Sequence, residues 1–358
     1  MFLKSLKIKD FRCFDSFETD FEKGINVLYG LNAVGKTSLL ESINYLVLTK
    51  SFKTSDEKVL VKDRSEFAIV TGAFESNVDS FSLKIYKDSL GKTVFKNNNK
   101  FSKISEYIGE SLVVNFSNED LHNLNKSSRE RRKIFEPVFC QISKEYVNEY
   151  NYYRKVLNER NALLKRLIFE NNESLNLLLK TLDYQLVESG KKIMFFRKSF
   201  VDKIKPLLVK NYKMIIAENE DVELVYKSSC SIEDFEKRLE DNKSLDLKKG
   251  TTSVGPHRDD YVFIINNKNI IDYGSQGQQR SFLIGLKIAF VDLLCDVKKE
   301  YPILLLDDVL SELDVERQNN LFNGINKNIQ TIMSTATLSE VNKTILDNAN
   351  IITLKKEM

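Results

Sequence analysis

The 358-residue chain lacks the residues that would place it in several common classes. Its four cysteines, Cys13, Cys140, Cys230 and Cys295, are scattered without a C-x-x-C pair, and only His122 and His257 could assist them. That pattern argues against both a disulfide framework and a zinc site, and most of the cysteines read as small buried hydrophobes. No stretch approaches the ~18–20 uninterrupted apolar residues of a membrane span. Met1-Phe2-Leu3-Lys4-Ser5 opens an amphipathic strand with no signal-peptide core, so a cytoplasmic location is expected. A strong charge of one sign is also missing: 54 basic and 51 acidic residues leave a net charge of +3. So weak a bias cannot by itself argue for nucleic acid, and any such argument must be local. There are no internal repeats. Hydrophobic residues make up 42% of the chain, enough for a core in one large or two ordinary domains.

What is present is concentrated in three segments far apart in the chain. Gly30-Leu31-Asn32-Ala33-Val34-Gly35-Lys36-Thr37 fits the phosphate-binding pattern G-x-x-x-x-G-K-[ST]. The apolar run Ile25-Asn26-Val27-Leu28-Tyr29 leads into it, and Leu39, Leu40, Ile43, Leu46 and Val47 follow at helical spacing, so the segment reads as strand, loop, helix. In such a loop the backbone N–H groups, here through Ser38, and the positive end of the helix dipole cradle phosphates. Lys36 is placed to reach the outer phosphates and the Thr37 hydroxyl to ligate Mg²⁺.

The second half of a nucleotide site is expected at Ile303-Leu304-Leu305-Leu306-Asp307-Asp308. Four consecutive apolar residues read as a strand buried on both faces, with two carboxylates at its C-terminal edge, where α/β sheets bind ligands. Asp307 is the expected Mg²⁺ ligand, directly or through water. Asp308 is then placed to orient or deprotonate a water attacking the γ-phosphate. Two aspartates capping a strand end are common by themselves; beside a P-loop the catalytic reading is preferred. The third segment, Ser275-Gln276-Gly277-Gln278-Gln279, precedes a helix with Phe282, Leu283, Leu286, Ala289, Phe290 and Leu293 on its apolar positions. It offers a hydroxyl, a permissive glycine and a helix N-terminus to an anion, although in isolation it also fits an ordinary polar cap.

Between these segments the pattern changes. Three alternating stretches, through Phe67, Ile69, Thr71 and Ala73, through Phe81, Leu83 and Ile85, and near Val94 after a Ser89-Leu90-Gly91 turn, predict antiparallel strands. From about Ser127 long helices are expected. Tyr146, Tyr150, Tyr153, Leu157, Arg160, Leu164 and Leu167 recur at alternating 4,3 spacing, as do Leu175, Leu179, Leu182 and Leu186, with the polar break Asn171-Asn172-Glu173-Ser174 between them. This predicts a helical hairpin, with Pro206 ending a later helical stretch. Strand patterns resume by Tyr261-Val262-Phe263-Ile264-Ile265. The expected architecture is an α/β P-loop ATPase head, a mixed sheet with flanking antiparallel strands and helices, interrupted by an all-helical lobe. The expected boundaries are 1–125 and 249–358 for the two halves of the head and 126–248 for the lobe.

Two clusters have two readings each. Gly255-Pro256-His257-Arg258-Asp259 fits either a catalytic cluster or a rigid turn salt-bridged into the head. Lys126, Arg129, Arg131, Arg132 and Lys133, interrupted only by Glu130 among acidic residues, fit either a DNA-facing patch or a solvated helix face.

With Ser275 to Gln279 just before the Asp307-Asp308 strand, and Ser311-Glu312-Leu313-Asp314 just after it, the chain resembles the ABC ATPase head, with a signature loop and a D-loop. Within that superfamily it is similar, essentially end to end, to the RecF family of bacterial recombination and gap-repair proteins. The matching stretches are Leu6-Lys7-Ile8-Lys9-Asp10-Phe11-Arg12, the P-loop, Ser51-Phe52-Lys53-Thr54, Phe116-Ser117-Asn118-Glu119-Asp120-Leu121, and residues 129–132, 150–161, 255–260, 275–280 and 305–314. Ala33 stands where the family's P-loop usually has glycine, Asn118 where proline usually follows Phe-Ser, and Phe135-Glu136-Pro137 in place of Phe-Leu-Asp. Ala33 alone would touch nucleotide, and alanine tolerates positive φ less well than glycine. Thr337 aligns with the switch histidine of transporter ATPases.

The resemblance implies that Ser275, Gln276, Gly277 and Gln278 of one subunit close on the γ-phosphate held by the P-loop of another, forming a head-to-tail homodimer around two ATPs. It also implies slow, DNA-dependent ATP hydrolysis with Mg²⁺, binding to duplex, gapped or junction DNA, a basic DNA surface near residues 126–133, and cooperation with RecO and RecR in loading RecA. Two other readings share the ATP chemistry. The energising subunit of a membrane transporter is disfavoured by the inserted arm, the opening strand and the missing histidine. A chromosome-organising ATPase of the SMC type is disfavoured by the arm's shortness.

Overall fold

The computed structural model describes residues 1–170, 172–216, 220–310 and 313–355. Among these, the strands form three sheets, and the chain divides into two compact units. The first comprises Met1–His122, Leu207–Asp221 and Ser275–Met358, and the second Asn123–Pro206 and Val222–Gly274.

The first unit holds two sheets. Strands β1 (Phe2–Phe11), β2 (Phe14–Asp20), β4 (Phe67–Glu75), β5 (Ser80–Asp88), β6 (Gly91–Lys96) and β7 (Asn99–Lys100) form an antiparallel sheet of order β2-β1-β4-β5-β6-β7. Strands β3 (Ile25–Tyr29), β8 (Val113–Phe116), β12 (Ile303–Asp307), β13 (Thr331–Thr335) and β14 (Ala349–Thr353) form a parallel sheet of order β14-β3-β13-β12-β8. Ile303 through Leu306 are all buried, as a strand covered on both faces requires. The helix Lys36–Leu48 lies against both sheets, touching β4 and β5 as well as β8, β12 and β13. Its expected apolar positions Leu39, Leu40, Ile43, Leu46 and Val47 are accordingly all buried, each contributing roughly 1.5–3 kcal/mol of transfer free energy.

The antiparallel hairpin at Ser89-Leu90 forms as expected, with Asp88 opposite Gly91. Strand β4 presents the opposite face from the one its alternation suggested: Ala68, Val70, Gly72 and Phe74 are buried, and Phe67, Ile69, Thr71 and Ala73 are half-buried. Both alternations carry apolar residues, so burial is decided by the approaching helix. A Cβ on Gly72 would stand 2.7 Å from a Leu46 methyl; the glycine lets the helix close on the sheet.

In the second unit the helices Ser128–Ile142 and Lys144–Leu167 precede the long helix Glu173–Ile215, which belongs to this unit as far as Pro206. The expected hairpin positions Tyr146, Tyr153, Arg160, Leu164, Leu167, Leu175, Leu179, Leu182 and Leu186 are buried; Leu157 is half-buried. Asn171 lies outside the described residues. Three expectations are corrected. Pro206 does not end a helix, because it and Asp202 lie on the exposed face, where solvent can reach the carbonyl that proline leaves unbonded. The unit is not all-helical, since β9 (Val222–Lys227), β10 (Asp260–Ile265) and β11 (Lys268–Asn269) form a sheet of order β11-β10-β9 within it. For the same reason residues 249–274 belong to this unit, not to the head, while residues 207–221 belong to the first unit. Its core is aromatic, with Phe135 stacked on Tyr261 at a centroid separation of 3.9 Å and Phe139 edge-on to Phe200.

Candidate nucleotide-binding site

The loop between β3 and the helix Lys36–Leu48 is shaped by backbone constraints. Gly35 has φ 106°, and a Cβ there would come within 2.7 Å of Phe14 and 2.8 Å of Cys13, so only glycine fits. Gly30 is constrained from β14: a Cβ would meet the Leu354 carbonyl oxygen at 2.6 Å, while the Leu354 N–H donates to Tyr29 O at 2.7 Å. Ala33 does adopt a left-handed φ of 67°. Leu31, Asn32 and Ala33 are exposed, Val34, Thr37 and Ser38 half-buried. The N-capping residue Gly35 has no side chain, and the first turn carries no acidic residue. Its N–H groups are therefore left for an external anion.

Lys36 is buried, and its Nζ donates to Gly30 O at 2.6 Å and Leu31 O at 2.9 Å. Burial lowers its pKa, and the nearby carboxylates of Asp308 and Asp307 oppose that shift. Across 270 residues of sequence, Thr37 Oγ1 donates to Asp307 Oδ1 at 2.9 Å. Ser334, at the end of β13, donates to the same oxygen at 2.8 Å and accepts the Asp308 N–H at 2.9 Å. Burial raises the Asp307 pKa against these two hydrogen bonds. Among the described residues, Asp307 Oδ2 accepts no hydrogen bond, so one carboxylate oxygen is open beside the Thr37 hydroxyl. Asp308 has φ 54° and is exposed beyond the sheet edge. The structure thus brings together Lys36, Thr37, Asp307 and Asp308. Ser334 joins this cluster although pattern reasoning missed it; its only sequence signal is a hydroxyl at the end of a strand parallel to β12.

Among the described residues no group of three or more His, Cys, Asp or Glu side chains could hold a metal alone. The pair fits a hard cation that completes its oxygen shell from phosphate and water. A second polar group stands on the same helix: Glu41, fully buried, accepts Arg12 Nε at 2.8 Å and Nη2 at 2.6 Å and also bonds the Ser51 hydroxyl. Ser51 in turn accepts the N–H groups of Lys53 and Thr54. Thr335 Oγ1 accepts the Thr337 N–H at 3.2 Å.

The signature segment forms the start of the helix Gln276–Lys298. Ser275 and Gln278 make a capping box: Gln278 N donates to Ser275 Oγ at 3.2 Å, and Ser275 N donates to Gln278 Oε1 at 2.9 Å. Ser275 and Gln276 are exposed. Gly277 faces the Arg317 guanidinium, 3.3 Å from where a Cβ would stand. In the D-loop, Ser311 and Glu312 lie outside the described residues; Asp314 caps the helix Val315–Gly324 through Arg317 N at 2.8 Å.

The basic run is split by the fold. Arg131 forms a two-pronged pair with Asp260 at 2.7 and 2.6 Å and donates to Lys126 O at 2.6 Å. Arg132 is buried and donates to the carbonyls of Asp259 and His257, the latter at 2.7 Å. Both serve as internal anchors, and their occupied donors correct the expectation that they face DNA. Lys126, Arg129 and Lys133 are exposed, Lys133 beside Glu130. The turn at 255–259 is anchored within the second unit, not in the head as expected: Arg197 donates to Pro256 O at 2.7 Å, Tyr226 bonds Asp259, and His257 bonds Tyr153 at 2.7 Å.

Among the described residues, no helix is long and apolar enough to cross a membrane. The AAA domain family matches residues 5–252. A DNA replication and repair protein RecF from Oenococcus oeni is 38% identical over 99% of this chain and 98% of its own. Two solved chains of the recombination mediator protein RecF in the RecFOR pathway share the fold at 32% identity. RecF-ATPrS has a TM-score of 0.89 over 100% of this chain and 98% of that one, and RecF-ATP has 0.86 over 95% of each.

Proposed function

The chain belongs to the RecF family of DNA replication and repair proteins, and from that premise we propose that it is an ATP-gated DNA clamp of recombinational gap repair. One observation carries the reading: the hydrogen bond from Thr37 to Asp307. It joins a P-loop to a carboxylate-ended strand, as ATP hydrolysis needs. MgATP supplies a transferable phosphoryl group and a hard cation. The N–H groups of residues 30–38 and the uncapped helix end hold the phosphates. Lys36 has two carbonyl partners to exchange for phosphate oxygens, and Thr37 with Asp307 holds the cation. Asp308, exposed at the strand end, orients the attacking water and takes its proton.

The exposed Ser275 hydroxyl and the N-terminus of its helix serve the γ-phosphate of a second copy, so that two chains close head to tail on two nucleotides. Closure forms a duplex-binding surface to which Lys126, Arg129 and Lys133 contribute, and hydrolysis opens it. Turnover is slow and DNA-dependent, the protein works in the cytoplasm, and it assists RecA loading with RecO and RecR at gapped or junction DNA. The test is sedimentation velocity with and without MgATP, repeated with a gapped duplex. A monomer that becomes a dimer on ATP, and is retained on the duplex only then, supports the reading. A sedimentation coefficient indifferent to ATP, with DNA binding equally indifferent, rejects it.

A further inference from the structure

The signature loop is held by a side chain outside the motif. Gln278 spends its amide oxygen on the Ser275 N–H at 2.9 Å, and its amide nitrogen donates to Glu220 Oε1 at 2.6 Å. The other oxygen of Glu220 accepts the hydroxyl of Tyr212, a fully buried residue on the helix Glu173–Ile215. Glu220 is itself buried. The chain Tyr212, Glu220, Gln278, Ser275 is therefore a continuous run of hydrogen bonds that ends on the exposed cap serine.

We infer that Glu220 is a positioning residue for ATP-driven closure, fixing Gln278 so that the Ser275 hydroxyl is presented to phosphate. This rests on the reading that the signature loop serves a second copy's nucleotide. The physical reason is directional. Without a carboxylate at this place the Gln278 amide is free to turn over or swing to water, and the capping box loses the acceptor that holds the Ser275 N–H. The loop would then have to be ordered at the moment of closure, and that cost would fall on dimerisation and turnover. The P-loop, which has no part in this chain of bonds, would keep its affinity for nucleotide.

The experiment compares Glu220→Ala, Glu220→Gln and Tyr212→Phe with wild type, measuring ATP binding by a single head, ATP-dependent dimerisation, turnover and melting temperature. A hydrogen bond to a charged acceptor predicts a fall of about tenfold or more in dimerisation and turnover for Glu220→Ala, with single-head ATP affinity unchanged. Glu220→Gln keeps an acceptor for Gln278 and should recover most of the loss. Tyr212→Phe should show a smaller deficit of the same kind. Losses that follow melting temperature across all three variants, or wild-type turnover in Glu220→Ala, overturn the inference. Ser275→Arg run alongside separates it from its premise. If that variant dimerises with ATP as wild type does, the reading of the signature loop fails. If it does not, while Glu220→Ala behaves as wild type, only the role of Glu220 fails.

Discussion

Replacing Arg132 by alanine should destabilise the second unit, not merely weaken DNA binding. Its guanidinium is buried and donates to the carbonyls of Asp259 and His257. Hydrogen bonds from a charged donor are worth about 1.5–3 kcal/mol each, and the abandoned carbonyls would carry a desolvation cost. Against this stands relief of the cost of burying the guanidinium, which is also what lowers its pKa. A net loss of about 3 kcal/mol follows, and in a unit of this size that lowers melting by roughly 10 °C. Exposed Lys126 and Arg129 give the contrast. Neutralising both should leave melting within about 1 °C and flatten the salt dependence of duplex binding by about two units, one for each phosphate no longer neutralised. Calorimetry and DNA titrations at several salt concentrations, on the same preparations, measure both quantities. Unchanged melting in Arg132→Ala together with a flattened salt slope would refute the assignment of Arg132 as an anchor.

Asp308→Asn should bind ATP and dimerise but turn over at least tenfold more slowly, because Thr37 and Asp307 remain while the proton acceptor is lost; a variant that stays monomeric with ATP would move Asp308 out of the catalytic role. Ser334→Ala removes a donor to Asp307 and an acceptor from Asp308, and about tenfold slower turnover in a normal fold is expected; wild-type turnover would make Ser334 structural. Burial depresses the His257 pKa from 6.5 to about 4. The unfolded chain therefore binds more protons between those values, and stability that is complete above pH 6.5 is lost as pH falls toward 4, by about 3 kcal/mol at most. A wild-type stability profile between pH 7 and 5 that parallels His257→Gln would show that this histidine does not titrate with folding.

The candidate nucleotide site was legible because its residues lie in short, contiguous patterns. Gly35 is dictated by φ and by Phe14 and Cys13, and the β12 run by burial on both faces. Ser334 was not legible, since a serine ending a strand carries no sign of which carboxylate it will meet. The basic run shows the limit of composition: Arg129, Arg131 and Arg132 are indistinguishable in sequence, and only the turn at 255–260 decides that two of them point inward. Strand β4 offered two apolar faces, and Leu46 approaching Gly72 chose between them. Pro206 looked like a helix stop because sequence does not reveal that Asp202, four residues earlier, is exposed to water.

The most direct test of the central claim is a mixing experiment with Lys36→Ala, which spoils the P-loop, and Ser275→Arg, which spoils the signature loop. A composite site requires each variant alone to be inactive and the mixture to regain ATP turnover, since one heterodimer site then joins an intact P-loop to an intact signature loop. Turnover in the mixture that equals the sum of the two separate preparations, or wild-type turnover in Ser275→Arg alone, would contradict closure of two chains around shared nucleotides.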